Sequence, residues 1–138
     1  MTAYAAFDTT TQALRAHLDQ FGLPQPVSVT FNLWQPEVSV QTGGDTPAAE
    51  LGRLVAWACT MQAVDTRWWH TLDGSLHVTI TGRTAGGVRI KAYGGIDYAA
   101  TAGLVTLPVD QSEHIRVDEL EALADLLRDH QTTRGVAA

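Results

Sequence analysis

The spacing of apolar residues along the chain predicts three amphipathic helices. The first covers about residues 8–21, where an apolar residue recurs every three or four positions on one face. The second begins after Thr46, whose hydroxyl can cap a helix that has proline at its first position, and it ends near Ala63. The third begins at Asp118, with Glu121 reaching back to complete a capping box. Each helix therefore has one apolar face that must pack against another element.

Alternation of apolar and polar residues predicts the strands, because successive side chains of a strand point to opposite faces. Five strands are expected, at residues 27–33, 38–40, 64–71, 75–81 and 87–93. A weaker pattern at 104–107 indicates a further short strand. The order α-β-β-α-β-β-β-α predicts an α+β fold, a single mostly antiparallel sheet of about five strands with the helices packed on one face. The other face is then open to water or to a partner.

The loop at residues 72–74 decides which side chains of the third strand enter the core. A three-residue loop pairs Trp68 with Val78 and directs Trp68 inward. A two-residue turn would instead direct Arg67 inward, and burial of an unpaired charge costs roughly several kcal/mol. We therefore favour the three-residue loop, although a slip of one residue would exchange Trp68 for Trp69 as the buried ring.

Length and composition are those of one globular domain. The chain has 138 residues, of which 45% are hydrophobic and 17% charged. We expect a single domain over 1–131 and a C-terminal tail over 132–138. The formal net charge of -6 disfavours broad binding to nucleic acid or to anionic membranes. The sequence starts without a signal-peptide pattern and has no apolar run long enough to cross a bilayer, so we expect a cytoplasmic protein.

No catalytic, cofactor or metal motif is present, so the sequence predicts no catalytic residue, no cofactor and no metal site. The five histidines lack ligand spacing, and no nucleophile motif is found. The only cysteine, Cys59, lies among apolar residues of the second helix, where we expect a buried, inert thiol. An enzyme with an unrecognised site around His77 stays open as one hypothesis.

The polar face of the last three strands combines aromatic and cationic residues. We expect cross-strand rows in which Trp69 lies beside His77 and Lys91, and Arg67 lies beside Thr79 and Arg89. Proteins that bind single-stranded nucleic acid use this combination, because bases stack on rings and cations neutralise phosphates. The nucleic-acid hypothesis assigns this role to Arg67, Trp69, His77, Arg89 and Lys91. Strand propensity alone also explains such residues on an exposed sheet.

Three tryptophans, Trp34, Trp57 and Trp69, are less well explained by a core, and Tyr93 is expected on the open face. Tryptophan and tyrosine are enriched at the centres of protein interfaces, because they bury much area at little entropic cost. The predicted partner-binding residues are Trp34, Trp57, Trp69 and Tyr93.

The middle of the chain resembles small actinobacterial proteins carried by phages and plasmids. The resemblance lies in the hairpin over residues 76–90, followed by Gly94-Gly95, and in the helix around 51–58. It implies an accessory role without a known activity. The order of elements is also similar to that of small acidic secretion-chaperone-like domains, which are dimeric protein binders, although the two orders differ in detail.

The leading hypothesis is therefore a non-enzymatic protein-interaction module, with a regulatory or mobile-element accessory role. We expect a protein partner and no membrane partner, and a homodimer through the open sheet face or the last helix is a further expectation. Binding of single-stranded nucleic acid is the main alternative.

Overall fold

The computed structural model describes residues 2–137, with side chains at residue 2 and residues 4–131. An α+β fold with a single, mostly antiparallel sheet is confirmed. The described residues form helices α1 (Ala3–Phe21), α2 (Pro47–Thr60) and α3 (Val117–Ala137), a short 3₁₀ helix (Tyr98–Thr101), and strands β1 (Ser28–Asn32), β2 (Glu37–Gln41), β3 (Gln62–His70), β4 (Ser75–Arg83), β5 (Arg89–Asp97) and β6 (Ser112–Ile115).

The strands form one sheet in the order β1-β2-β5-β4-β3-β6. The pairing of β2 with β5 is parallel and the other pairings are antiparallel. The weak strand predicted at 104–107 is wrong, because the backbone of Leu107 bonds to the Tyr98 hydroxyl and to His70 instead of to a strand. The sixth strand lies at 112–115, where the buried indole of Trp68 donates a hydrogen bond to Glu113.

The three helices cover one face of the sheet, as the sequence predicted. Apolar side chains of β2, β4 and β5 point toward α2, and α3 packs along α2. The imidazole of His70 is buried on this side, where it bonds to the Leu107 carbonyl at 2.6 Å and stacks on Tyr98. No helix of the described residues lies over the opposite face of the sheet.

The register between β3 and β4 agrees with the three-residue loop, since Trp68 lies opposite Val78. The predicted register between β4 and β5 is wrong by four residues: His77 lies opposite Gly95, where Lys91 was expected. β4 continues through Gly82 and Arg83, which were assigned to the loop, and β5 begins only at Arg89, so the chain turns between Thr84 and Val88. Because a shift of four is even, every side chain keeps its predicted face.

Two predictions about α2 are wrong. Trp57 is only 1% exposed, because α1 crosses this side of α2 and stacks His17 on the indole at 5.6 Å between ring centroids. The predicted partner-binding role of Trp57 is thus replaced by a role in the core. Cys59, predicted to be buried, is exposed on the opposite side of the helix.

The last helix runs to Ala137, so its backbone includes most of the segment predicted as a tail. Residue 138 and the side chains of 132–137 lie outside the described part of the chain. Over the described residues, we find no helix with both the length and the apolar character needed to cross a membrane.

Candidate functional site

Three aromatic side chains meet on the open face of the sheet. Trp69 of β3 and His77 of β4 lie directly opposite each other, with ring centroids 6.5 Å apart in an edge-to-face arrangement. The ring of Tyr93 on β5 lies 5.9 Å from His77. We name Trp69, His77 and Tyr93 the aromatic row. It joins three neighbouring strands, so the central strands hold its rings in fixed positions.

Gly95 determines the shape of the surface beside His77. It lies opposite His77 on β5 and has no side chain, so the third position of this cross-strand row is empty. Tyr93 instead reaches His77 diagonally, because its direct neighbour on β4 is Thr79. The row that the sequence predicted from Trp69 to Lys91 does not form; Lys91 lies opposite Thr81.

A shallow depression of 220 Å³ adjoins the aromatic row. It is lined by Arg67, Trp68, Trp69, His77, Thr79, Asp110 and Ser112. Sequence reasoning missed Asp110 and Ser112, because the loop before β6 and the four-residue strand itself have no pronounced alternation. Trp69 is 41% exposed beside this depression, so an incoming group can reach a large part of its indole.

The charges of the open face are of both signs. Arg89 pairs with Glu37 at 3.3 Å, and Asp65 lies 3.1 Å from His114. Among the residues that the structure describes, Arg67 and Lys91 have no ion pair. The five residues of the nucleic-acid hypothesis do share one face, but one of its three cations already has a carboxylate partner.

The pKa of His77 lies below its usual value of 6.5. Partial burial in the aromatic row disfavours the charged imidazolium, and the positive charge of Lys91 adds to the effect. His77 is therefore neutral at neutral pH, and it presents an uncharged aromatic ring to the surface. Burial also lowers the pKa of His17, which lies in α1.

The free energy of unfolding should fall less between about pH 7.5 and pH 5 in His77→Gln than in the wild-type protein. Because the folded-state pKa is lowered, the unfolded chain binds more protons below the unfolded pKa of about 6.5. The contribution of neutral His77 to the stability of the fold is therefore complete above that pH, and it is lost as the pH falls through the folded-state pKa. Urea unfolding at both pH values measures the difference. His17 still contributes in His77→Gln, so a smaller loss is expected to remain; an unchanged loss would contradict the assignment.

Trp34 lies far from the aromatic row. It is 97% exposed in the turn between β1 and β2, beside a concavity of 500 Å³ that includes Thr30 and Glu37. Four strand spacings, about 19 Å, separate β1 from β3 in the sheet. Of the four predicted partner-binding residues, the structure thus brings together Trp69 and Tyr93, places Trp34 at an edge and buries Trp57.

Within the described residues, no group of three histidine, cysteine, aspartate or glutamate side chains is arranged to hold a metal ion. Comparison of the chain with family models, with curated proteins and with solved structures gives no significant match.

Proposed function

We propose that the protein is a non-enzymatic protein-interaction module that binds its partner on the open sheet face. The aromatic row carries this proposal, because it places a Trp and a Tyr on either side of His77, on the face that no described helix covers. These residue types supply most of the binding energy at many protein interfaces. The regulatory or mobile-element accessory role expected from the resemblance belongs to the same proposal.

The surroundings of the row favour a particular kind of partner. Trp69 and Tyr93 offer apolar area, and the neutral ring of His77 lies between them. Arg67 on β3 lines the depression and Lys91 lies on β5, two residues before Tyr93, and both are without ion pairs in the described chain. A protein that inserts an apolar side chain and presents carboxylates around it fits this arrangement, because both cations would then gain partners.

An enzymatic role has less support. The depression beside His77 has a volume of 220 Å³, which is below the roughly 300–1,000 Å³ of most small-molecule sites. His77 has ring contacts with Trp69 and Tyr93, and neither provides the carboxylate that usually orients a catalytic histidine. The geometry therefore favours a broad contact surface over a reaction centre.

Replacement of Trp69 by alanine should weaken partner binding by roughly 30-fold or more, as expected for a hot-spot tryptophan worth about 2 kcal/mol. The partner is first captured from nuclease-treated host lysate with the tagged protein, and its affinity for both forms is then measured by calorimetry. Since Trp69 lies on the open face, folding should be preserved, as circular dichroism can verify.

Leu126→Ala is the matched control, because Leu126 is a similarly exposed apolar residue on the opposite, helical side of the molecule. It should bind like the wild-type protein. Equal affinity of Trp69→Ala and wild type would contradict the proposal. Capture of nucleic acid alone, in a parallel experiment on lysate without nuclease, would contradict it as well.

Binding of single-stranded nucleic acid is the second candidate, supported by the two cations without ion pairs beside the row. It predicts an affinity for oligonucleotides that falls steeply with salt, because bound cations release counterions from the phosphates. Arg67→Glu should then abolish binding. The net charge of -6 and the pairing of Arg89 with Glu37 make it the weaker candidate.

A further inference from the structure

The outer edge of β1 is unpaired and uncharged. This strand ends the sheet on one side, and no strand in the described chain lies against its outer edge. No charged residue occurs between Asp19 and Glu37. Natural sheets usually protect such edges with charged side chains, bulges or a covering element, because unpaired N–H and C=O groups template another strand. The opposite edge strand, β6, does contain charged Glu113 and titratable His114.

Apolar side chains are concentrated around this edge. Val29 of β1 is partly exposed, and Val27 and Leu33 on either side of the strand are more so. The N-terminal half of α1 lies over the same region, since its Phe7 contacts Phe31 at 4.9 Å between ring centroids. Exposed apolar side chains grouped beside an unpaired strand edge mark an interaction surface.

We propose that this edge pairs with β1 of a second copy of the chain, antiparallel about a two-fold axis at Thr30. Of the centres that such an axis can take, only Thr30 pairs all five residues of the strand. Val29 then lies opposite Phe31 of the second copy, and Ser28 lies opposite Asn32. Beyond the strand, Val27 meets Leu33 of the second copy.

The pattern of β1 is self-complementary in this register. Residues of the same parity meet, so the apolar side chains of both copies lie on the helical side and the polar ones lie on the open side. Without a charge in the strand, no like charges oppose each other across the axis. A symmetric contact requires such self-complementarity, since one surface serves both copies.

The contact joins the two six-stranded sheets edge to edge. Both helical layers then lie on one side and both open faces on the other, so each aromatic row stays accessible. Pairing through β1 does not depend on the function proposed for the open face, and it differs from dimers through that face or through α3.

The test places equal charges on the two-fold axis. In sedimentation velocity at low ionic strength, the wild-type chain should be dimeric, and Thr30→Lys and Thr30→Glu should each raise the dimer dissociation constant about tenfold or more. An equimolar mixture of the two variants should restore the dimer, because lysine then faces glutamate. Ser112→Lys is the matched control, since it adds the same charge on the other edge strand and should stay dimeric.

Loss of the dimer in each single variant, with recovery of the dimer in the mixture, would support pairing at Thr30. A variant that failed to fold would not form a dimer in the mixture. A wild-type chain that is monomeric at about 100 µM would overturn the proposal and leave the edge for an extended peptide. An unchanged dimer dissociation constant in both Thr30→Lys and Thr30→Glu would also overturn it. Loss of the dimer in Ser112→Lys alone would assign the contact to β6.

Discussion

Replacement of Trp57 by alanine should destabilise the fold by about 3–5 kcal/mol, the usual range for removal of a large buried aromatic side chain. Trp57 is one of the largest fully buried residues, at 1% exposure, and it belongs to the hydrophobic core. Its ring stacks on His17, and its carbonyl accepts a hydrogen bond from the Thr60 hydroxyl. Because that hydroxyl proton is used, the Nε2 atom of His17 donates to Thr60, at 2.9 Å. The cavity would therefore also remove the support beneath His17.

Urea unfolding of Trp57→Ala and of Trp34→Ala provides a matched pair, since the second substitution removes the same side chain from a site that is 97% exposed. Trp34→Ala should change the free energy of unfolding by less than about 0.5 kcal/mol, as surface substitutions usually do. Similar losses in the two variants would contradict the placement of Trp57 in the core. A typical domain has a total stability of about 5–15 kcal/mol, so Trp57→Ala should also lower the yield of folded protein.

Alternation was sufficient to predict the faces of the strands. Trp68 and His70 are buried and Trp69 and Arg67 are exposed, as the pattern required. A strand has a side-chain period of two, so this assignment survives the even error in the register of β4 and β5. The composition of the open face was therefore predictable, whereas the neighbours within it were not.

The register error arose because glycine is a turn signal in sequence, but it can also mark a strand position where a neighbouring residue leaves no room for a side chain. A Cβ atom on Gly82 would lie 2.8 Å from Cβ of Met61, and one on Gly94 would lie 3.0 Å from Oε1 of Glu50. Both glycines stand inside strands at these contacts. The same Glu50 carboxylate accepts a hydrogen bond from the Gly95 N–H, at 3.0 Å, where β5 extends past the end of β2. Only the tertiary structure reveals such contacts.

The errors for Trp57 and Cys59 have one physical cause. Both lie beside the apolar stripe of α2, and helical periodicity does not decide which flank another helix will cover. The structure places α1 on the Trp57 side, where His17 stacks on the indole, and leaves the Cys59 side exposed. Long-range packing of this kind overrides a local pattern.

Replacement of Gly44 by alanine should destabilise the fold by at least about 2 kcal/mol, through backbone strain and steric overlap together. Gly44 has a φ of +151°, a conformation that other residues rarely adopt. An added Cβ would also lie 2.6 Å from the backbone nitrogen of Glu50, in the first turn of α2. Since backbone atoms cannot rotate away as side chains can, the helix start must move. The hydrogen bond that the Gly95 N–H donates to Glu50 would be disturbed as well.

Two adjacent glycines separate the causes of this expected loss. Gly86 has neither a positive φ nor a close neighbour, whereas Gly87 has a φ of +87° with open space around it. Thermal and urea unfolding should show almost no change for Gly86→Ala and about 1 kcal/mol of destabilisation for Gly87→Ala. The loss for Gly44→Ala should exceed both, because it adds the overlap with Glu50 to the strain. If Gly44→Ala lost no more than Gly87→Ala, backbone strain alone would explain it, and the close approach of the loop to α2 would be contradicted.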